Sequence, residues 1–118
     1  MVYILNTNLN SEKRVRDSLQ KIRGIGPFLA NQVCDQLGLA GETRVKQLSF
    51  NQIDELKSLI SQSHLTGNEL SRFNRRNKGR IGLIGTYRGV RQSIGLPLRG
   101  QRTHGNSKTA RRLKGRNF

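Results

Sequence analysis

Cysteine is almost missing: Cys34 stands alone in 118 residues, which rules out an intramolecular disulfide framework and a Cys-rich zinc site. Tryptophan is absent, and two Tyr and four Phe are all the aromatics there are. With only 33% of residues hydrophobic, the apolar area available to offset the ordering entropy of the whole chain is small. One compact core is expected at this length, with part of the chain ordering only on its partner. No apolar run approaches the roughly 18 residues needed to span a bilayer. Met1-Val-Tyr-Ile-Leu5 is too short for a signal-peptide core and has no basic region before it. His64 and His104 are the only histidines, and both lie in polar segments far in sequence from Cys34, so neither a metal set nor a Cys-His pair is indicated.

Acidic side chains are scarce as well. Seven Asp and Glu face 22 Lys and Arg, a net charge of +15, and a field of that strength calls for a polyanion as its normal surroundings. The imbalance is local: residues 1–62 hold eight basic and six acidic side chains, whereas residues 63–118 hold fourteen and one. A solvated basic face is the usual explanation of a charge run, but this asymmetry is too large for it. A membrane-surface role wants a continuous amphipathic helix with bulky apolar residues on one face, and Gly and Asn interrupt the basic half. Eleven of its fourteen basic residues are Arg, whose planar fork binds phosphate bidentately and stacks on bases.

Along the chain, residues 2–5 read as a short extended segment and Asn6 to Asn10 as turn. Ser11 is placed to cap a helix over Glu12–Arg23, with Val15, Leu19 and Ile22 on one face. Gly24-Ile-Gly26 stops it, and Pro27 opens a second helix to Leu37 that turns Leu29, Ala30, Val33, Cys34 and Leu37 inward. Ser49-Phe-Asn-Gln52 has the spacing of a capping box before a third helix, Phe50 to about Gln62. Leu70, Phe73, Ile81 and Ile84 continue a helical period, with Arg72, Arg75, Arg76 and Arg80 mostly elsewhere around the cylinder. After Leu98 there is almost nothing to bury. The fold class is therefore mainly α: a helical domain over residues 1–66, a basic helical segment over 67–98, and an extended basic tail over 99–118.

Two constellations bear on function. Gly24-Ile-Gly26 is a tight turn between two periodic helices; glycine allows close approach there, and backbone N–H groups at the following helix start can meet a phosphate, the physics of a helix-hairpin-helix element. A plain αα-turn with a glycine cap fits the same spacing. The second is the basic half, where Arg75, Arg76 and Arg80 precede Tyr87, Arg88 and Arg91. Arg99, Gly100, Arg102, Thr103, His104 and Asn106 follow, and then Lys108, Arg111, Arg112, Lys114 and Arg116; these are the candidate RNA contacts. Catalytic motifs fail. Gly100-Gln-Arg-Thr-His-Gly105-Asn-Ser107 has Asn106 where a phosphate-binding loop needs Lys, and the glycines at 24 and 26 are followed by Leu29 where a dinucleotide fingerprint needs a third. Asp54 and Glu55 suit the positive end of the third helix better than an acid/base pair. No catalytic residue, metal or cofactor is expected.

In order along the chain, Lys13-Arg-Val15, Gly24-Ile-Gly26, Thr43-Arg-Val-Lys46, Tyr87-Arg-Gly-Val-Arg91 and Gly95-Leu-Pro-Leu-Arg-Gly-Gln-Arg-Thr-His104 resemble the family of ribosomal protein thirteen of the bacterial-type small subunit. The resemblance implies a helix-two-turns-helix domain with a long extension, seated in the head of the subunit. It implies binding of small-subunit ribosomal RNA, with Arg88, Arg91, Arg99, Arg102 and Thr103 as contacts and Gly24 and Gly26 as the turn. Implied partners are ribosomal protein nineteen, the large-subunit central protuberance through intersubunit bridges, and peptidyl-site transfer RNA near the tail. After Thr103 the sequence departs from the family's pattern, and that drift resembles a protein made inside an organelle, the mitochondrion. The competing functions are a DNA-binding or repair module of the helix-hairpin-helix type, which holds phosphates without reading sequence, and an RNA chaperone acting off the ribosome, which salt would strip first.

Overall fold

A computed structural model describes residues 2–114, and the chain is mainly helical. It divides into two compact units, Met1–Leu70 and Ser71–Phe118.

The first unit opens with a hairpin of β1 (Val2–Ile4) and β2 (Thr7–Leu9), antiparallel with Val2 opposite Leu9 and Ile4 opposite Thr7. Leu5 and Asn6 take φ of 47° and 60°, the left-handed pair of a two-residue turn that matches strand twist. The segment expected to be all turn, 6–10, thus contributes a strand, too short to show a period of two. Helix α1 is Val15–Leu19, much shorter than the expected 12–23. Residues 11–14 are taken by a non-local pairing: Lys46 N–H donates to Ser11 O, Val45 N–H to Lys13 O and Val15 N–H to Thr43 O, with Arg14 bridging Arg44. Ser11 is consequently not a helix cap.

Helix α2 spans Pro27–Gln36 and closes as the glycine predicts, Gly38 at φ +64° and Leu39 N–H reaching back to Cys34 O at 2.9 Å, the 6→1 bond of a Schellman end. A 3₁₀ turn, Val45–Gln47, precedes α3 (Phe50–Ser63). The capping box is present: Gln52 N–H donates to Ser49 Oγ at 3.3 Å and Ser49 N–H to Gln52 Oε1 at 3.0 Å. Helices α1, α2 and α3 enclose Ile4, Leu9, Val15, Leu19, Ile22, Ala30, Val33, Cys34, Val45, Leu56 and Ile60. Among the described residues, every buried side chain of this core precedes residue 61.

Helix α4, Gly67–Leu83, runs on into the second unit, which also holds α5 (Tyr87–Ile94) and α6 (Ser107–Leu113). Glycine permits the α4–α5 packing: a Cβ on Gly89 would lie 2.5 Å from Ile81 O. Thr86 caps α5 by accepting the Gly89 N–H at 3.2 Å, and Gly95 ends it at φ +84°. Helix α6 falls inside the stretch read as extended tail; Ser107 hydroxyl donates to Thr103 O, and Ala110 and Leu113 are half-buried. No helix among the described residues is long and apolar enough to cross a membrane.

Candidate nucleic-acid interface

The units differ in how their charges are spent. Met1–Leu70 carries eight basic and seven acidic side chains, Ser71–Phe118 fourteen and none. In the first unit five basic side chains are ion-paired: Arg14 with Glu42, Arg16 with Asp35, Arg44 and Lys46 with Glu12, and Lys57 with Asp54. The Lys46 hydrogen bond and charge, with Arg44 beside them, hold the Glu12 carboxyl below its ordinary range. Among the described residues of this unit, only Lys13, Lys21 and Arg23 lack a carboxylate at ion-pair distance. Lys21 and Arg23 immediately precede the glycine turn and line one cleft with His64, Asn68 and Glu69.

The two glycines of that turn do different things. Gly24 sits at φ +106°, and a Cβ there would lie 2.9 Å from Leu65 O and 3.0 Å from a Leu70 methyl; Gly67 N–H donates to Arg23 O at 2.8 Å. Gly24 is required for close packing of the turn against residues 65–70. Gly26 has an ordinary extended conformation, φ −94°, and open space around it. It is the N-cap of α2, where no side chain caps the first-turn N–H groups, so that helix start presents unsatisfied donors and a positive dipole end.

In the second unit an anion for the arginines has to come from outside, since the sequence there holds no carboxylate side chain. On α4, Arg72, Arg76 and Arg80 recur at four-residue steps and all are exposed, which sets them in one row along the helix. Arg75 and Lys78 flank a shallow groove with Gly79, Gly82, Gln92 and Ser93. Arg88, Arg102, His104, Lys108 and Arg112 are exposed. Arg99, Asn106 and Lys114 line a cleft between the 95–101 loop and α6, and Gly95 lets that loop approach Arg111, whose Cα would be 3.6 Å from a Cβ on the glycine. Gly100 turns the loop at φ +70°.

Some expected contacts have internal duties. Arg91 donates Nε–H to Pro97 O at 3.1 Å and lies 5.9 Å from the Tyr87 ring centroid, a cation–π distance. Asn106 Nδ2 donates to Arg102 O at 3.0 Å, and Thr103 O receives Ser107. Arg116 lies outside the described residues. Lys21, Arg23, Arg72 and Lys78 are not among the contacts expected from sequence; the 72-76-80 spacing points to Arg72, but the freedom of Lys21 and Arg23 emerges only once the ion pairs of their neighbours are seen. Cys34 is buried and free, its thiol pushed up by desolvation, and no cluster of metal-ligating side chains occurs among the described residues.

Comparison with known proteins gives this surface a context. Residues 3–109 match the family model described as Ribosomal protein S13/S18. The chain is 53% identical over 114 residues to "Small ribosomal subunit protein uS13m" of Marchantia polymorpha, covering 97% of this chain and 95% of the relative. It is 46% identical over 114 residues to the protein of that name from Prototheca wickerhamii, covering 97% and 96%. Against the one from Daucus carota it is 46% identical over 112 residues, covering 95% and 97%. A match over nearly the whole of both chains, through folded unit and basic unit alike, places this chain in the ribosomal protein S13/S18 family.

Proposed function

We propose that this protein is a structural constituent of the small ribosomal subunit of mitochondria, binding its ribosomal RNA without catalysing a reaction. The observation that carries this is the second unit: fourteen basic side chains, no acidic one, and no buried apolar cluster of its own among the described residues. Such a surface is stabilised by phosphates and neutralises them in return. The row Arg72, Arg76 and Arg80, the exposed Arg88, Arg102 and Arg112, and the loop–α6 cleft with Arg99 and Lys114 are its RNA contacts. A second, smaller contact lies at the glycine turn, where the uncapped α2 start meets a phosphate.

The finer assignments rest on the family: a seat in the head of the subunit beside ribosomal protein nineteen, bridges to the large-subunit central protuberance, and transfer RNA of the peptidyl site near the C-terminal residues. The test is sedimentation of a native mitochondrial lysate in moderate and high salt, following this protein and small-subunit RNA together. Co-migration with the small subunit and the whole ribosome in both supports the assignment. A free or DNA-associated pool released by salt would favour the alternative, a non-specific DNA-binding or repair module of the helix-hairpin-helix type.

A further inference from the structure

The first unit has a charged cleft that its ion pairs leave untouched. The β-hairpin turn, the residues between α1 and the glycine turn, the end of α3 and the first turn of α4 wall it in. It encloses about 450 Å³, a volume in the range of small-ligand sites. All of its lining residues belong to Met1–Leu70, and Leu5 is the one large apolar residue among them. The walls are tied to each other: Gly67 N–H donates to Arg23 O at 2.8 Å, His64 N–H to Ile60 O at 2.9 Å, and Gly24 packs against Leu65 O with no room for a Cβ. Among the described residues of the unit, two of the three basic side chains without a carboxylate partner, Lys21 and Arg23, line this cleft, and so does Glu69, which is paired with neither. Glu69 stands in the first turn of α4, where a negative charge is favourable on its own account, but that leaves the two open cations beside it unexplained. Separated positive and negative groups on one concave wall suit a ligand with an anion at one end and hydrogen-bond donors at the other.

We infer that this cleft holds one unpaired guanosine nucleotide of the ribosomal RNA, with its phosphate on Lys21 and Arg23 and its base edge on Glu69. This deepens the ribosomal reading above and rests on it, at a site separate from the basic unit and from the α2 start. An ionised carboxylate can only accept hydrogen bonds. Guanine alone among the four bases sets two neighbouring donors, N1–H and the N2 amino group, on its Watson–Crick edge, and protein reaches that edge only where the base is unpaired. Asn68, also on the cleft wall, carries the amide N–H that guanine O6 accepts. An acidic peptide would set its own carboxylates against Glu69, and an apolar segment would find only Leu5 to cover.

The experiment places a photoreactive residue, Ser61→p-benzoylphenylalanine, in the full-length chain assembled into small subunits, with Arg102→p-benzoylphenylalanine in parallel. Ser61 is exposed on the cleft wall and makes none of the inferred contacts. Irradiation at position 61 is expected to give an adduct that ribonuclease destroys and that maps to a single-stranded stretch containing a guanosine. Kethoxal, which attacks guanine at N1 and N2, reads the base edge directly: that guanosine should be protected in subunits carrying the unsubstituted chain and reactive in those carrying Glu69→Gln. The double variant Lys21→Gln, Arg23→Gln should lower the crosslink yield about tenfold, the scale of losing a charge-assisted hydrogen bond. Lys21, Arg23 and Glu69 are all exposed, so helical circular dichroism should be unchanged in these variants. A protein adduct at position 61, a link to duplex RNA or to a stretch without guanosine, no adduct from incorporated protein, kethoxal reactivity unaltered by Glu69→Gln, or an unchanged yield in the double variant would each overturn the inference. Those results leave the ribosomal assignment standing as long as position 102 links to RNA. Absence of the unsubstituted chain from small subunits would overturn both.

Discussion

Gly24 and Gly26 look alike in the sequence and behave oppositely in the fold. Any side chain at Gly24 meets Leu65 O while holding a left-handed backbone, so Gly24→Ala is expected to cost about 2 kcal/mol or more. That lowers Tm by roughly 8 °C or more in a domain of this size. Gly26→Ala should cost under about 1 kcal/mol, the difference between two residues at an N-cap. Thermal melts followed by circular dichroism check both, and equal losses would show that the turn is not organised around Gly24. Cys34 allows a second residue-scale prediction. Burial raises its thiol's pKa in the folded state, so its contribution to stability is complete below the unfolded thiol pKa and is lost as pH rises through the folded one. The denaturation midpoint should therefore decline above about pH 8.5, less so in Cys34→Ala, and a thiol reagent should modify Cys34 only in denaturant.

At the scale of elements, legibility in the sequence depends on whether local residues govern the outcome. Helices α2 and α3 are legible because a proline, a glycine stop and a capping box fix their ends from within. Ser49→Ala should cost α3 about 1 kcal/mol, measurable as a shift of the urea midpoint without a change of slope. Helix α1 is shorter than its periodicity suggests because residues 11–14 pair with 43–46, a contact that no window of a dozen residues contains. Helix α5 is hidden as a separate element because its apolar stripe faces outward and glycine faces in, the reverse of the pattern that marks a core helix. The charged half of the site is visible in composition alone. Which arginines are available is not, since Arg14, Arg16 and Arg44 differ from Arg23 only in having carboxylates brought to them by the fold.

For the whole molecule the division of labour is thermodynamic. The unit Met1–Leu70 has a net charge of +1 and holds the buried core, while Ser71–Phe118 has +14. Removing residues after Thr103 should leave the core of the first unit intact, because none of its buried side chains lies beyond Ile60, and its thermal transition should stay in place. The same truncation deletes Lys108, Arg111, Arg112, Lys114 and Arg116. Every phosphate that goes unneutralised takes roughly 0.7 to 0.9 off the slope of log affinity against log salt. If all five side chains touch RNA the slope should flatten by roughly 4, as read from filter binding to the small-subunit RNA over a salt series. Truncation also uncovers the 95–101 loop where Gly95 rests on Arg111 and Lys114, so the double variant Lys108→Gln, Arg112→Gln serves as its companion. Both of those side chains are exposed, and the pair should flatten the slope by roughly 1.5 with the helix content unchanged. A slope that stays the same in both would move RNA binding away from α6 and back onto α4 and the glycine turn.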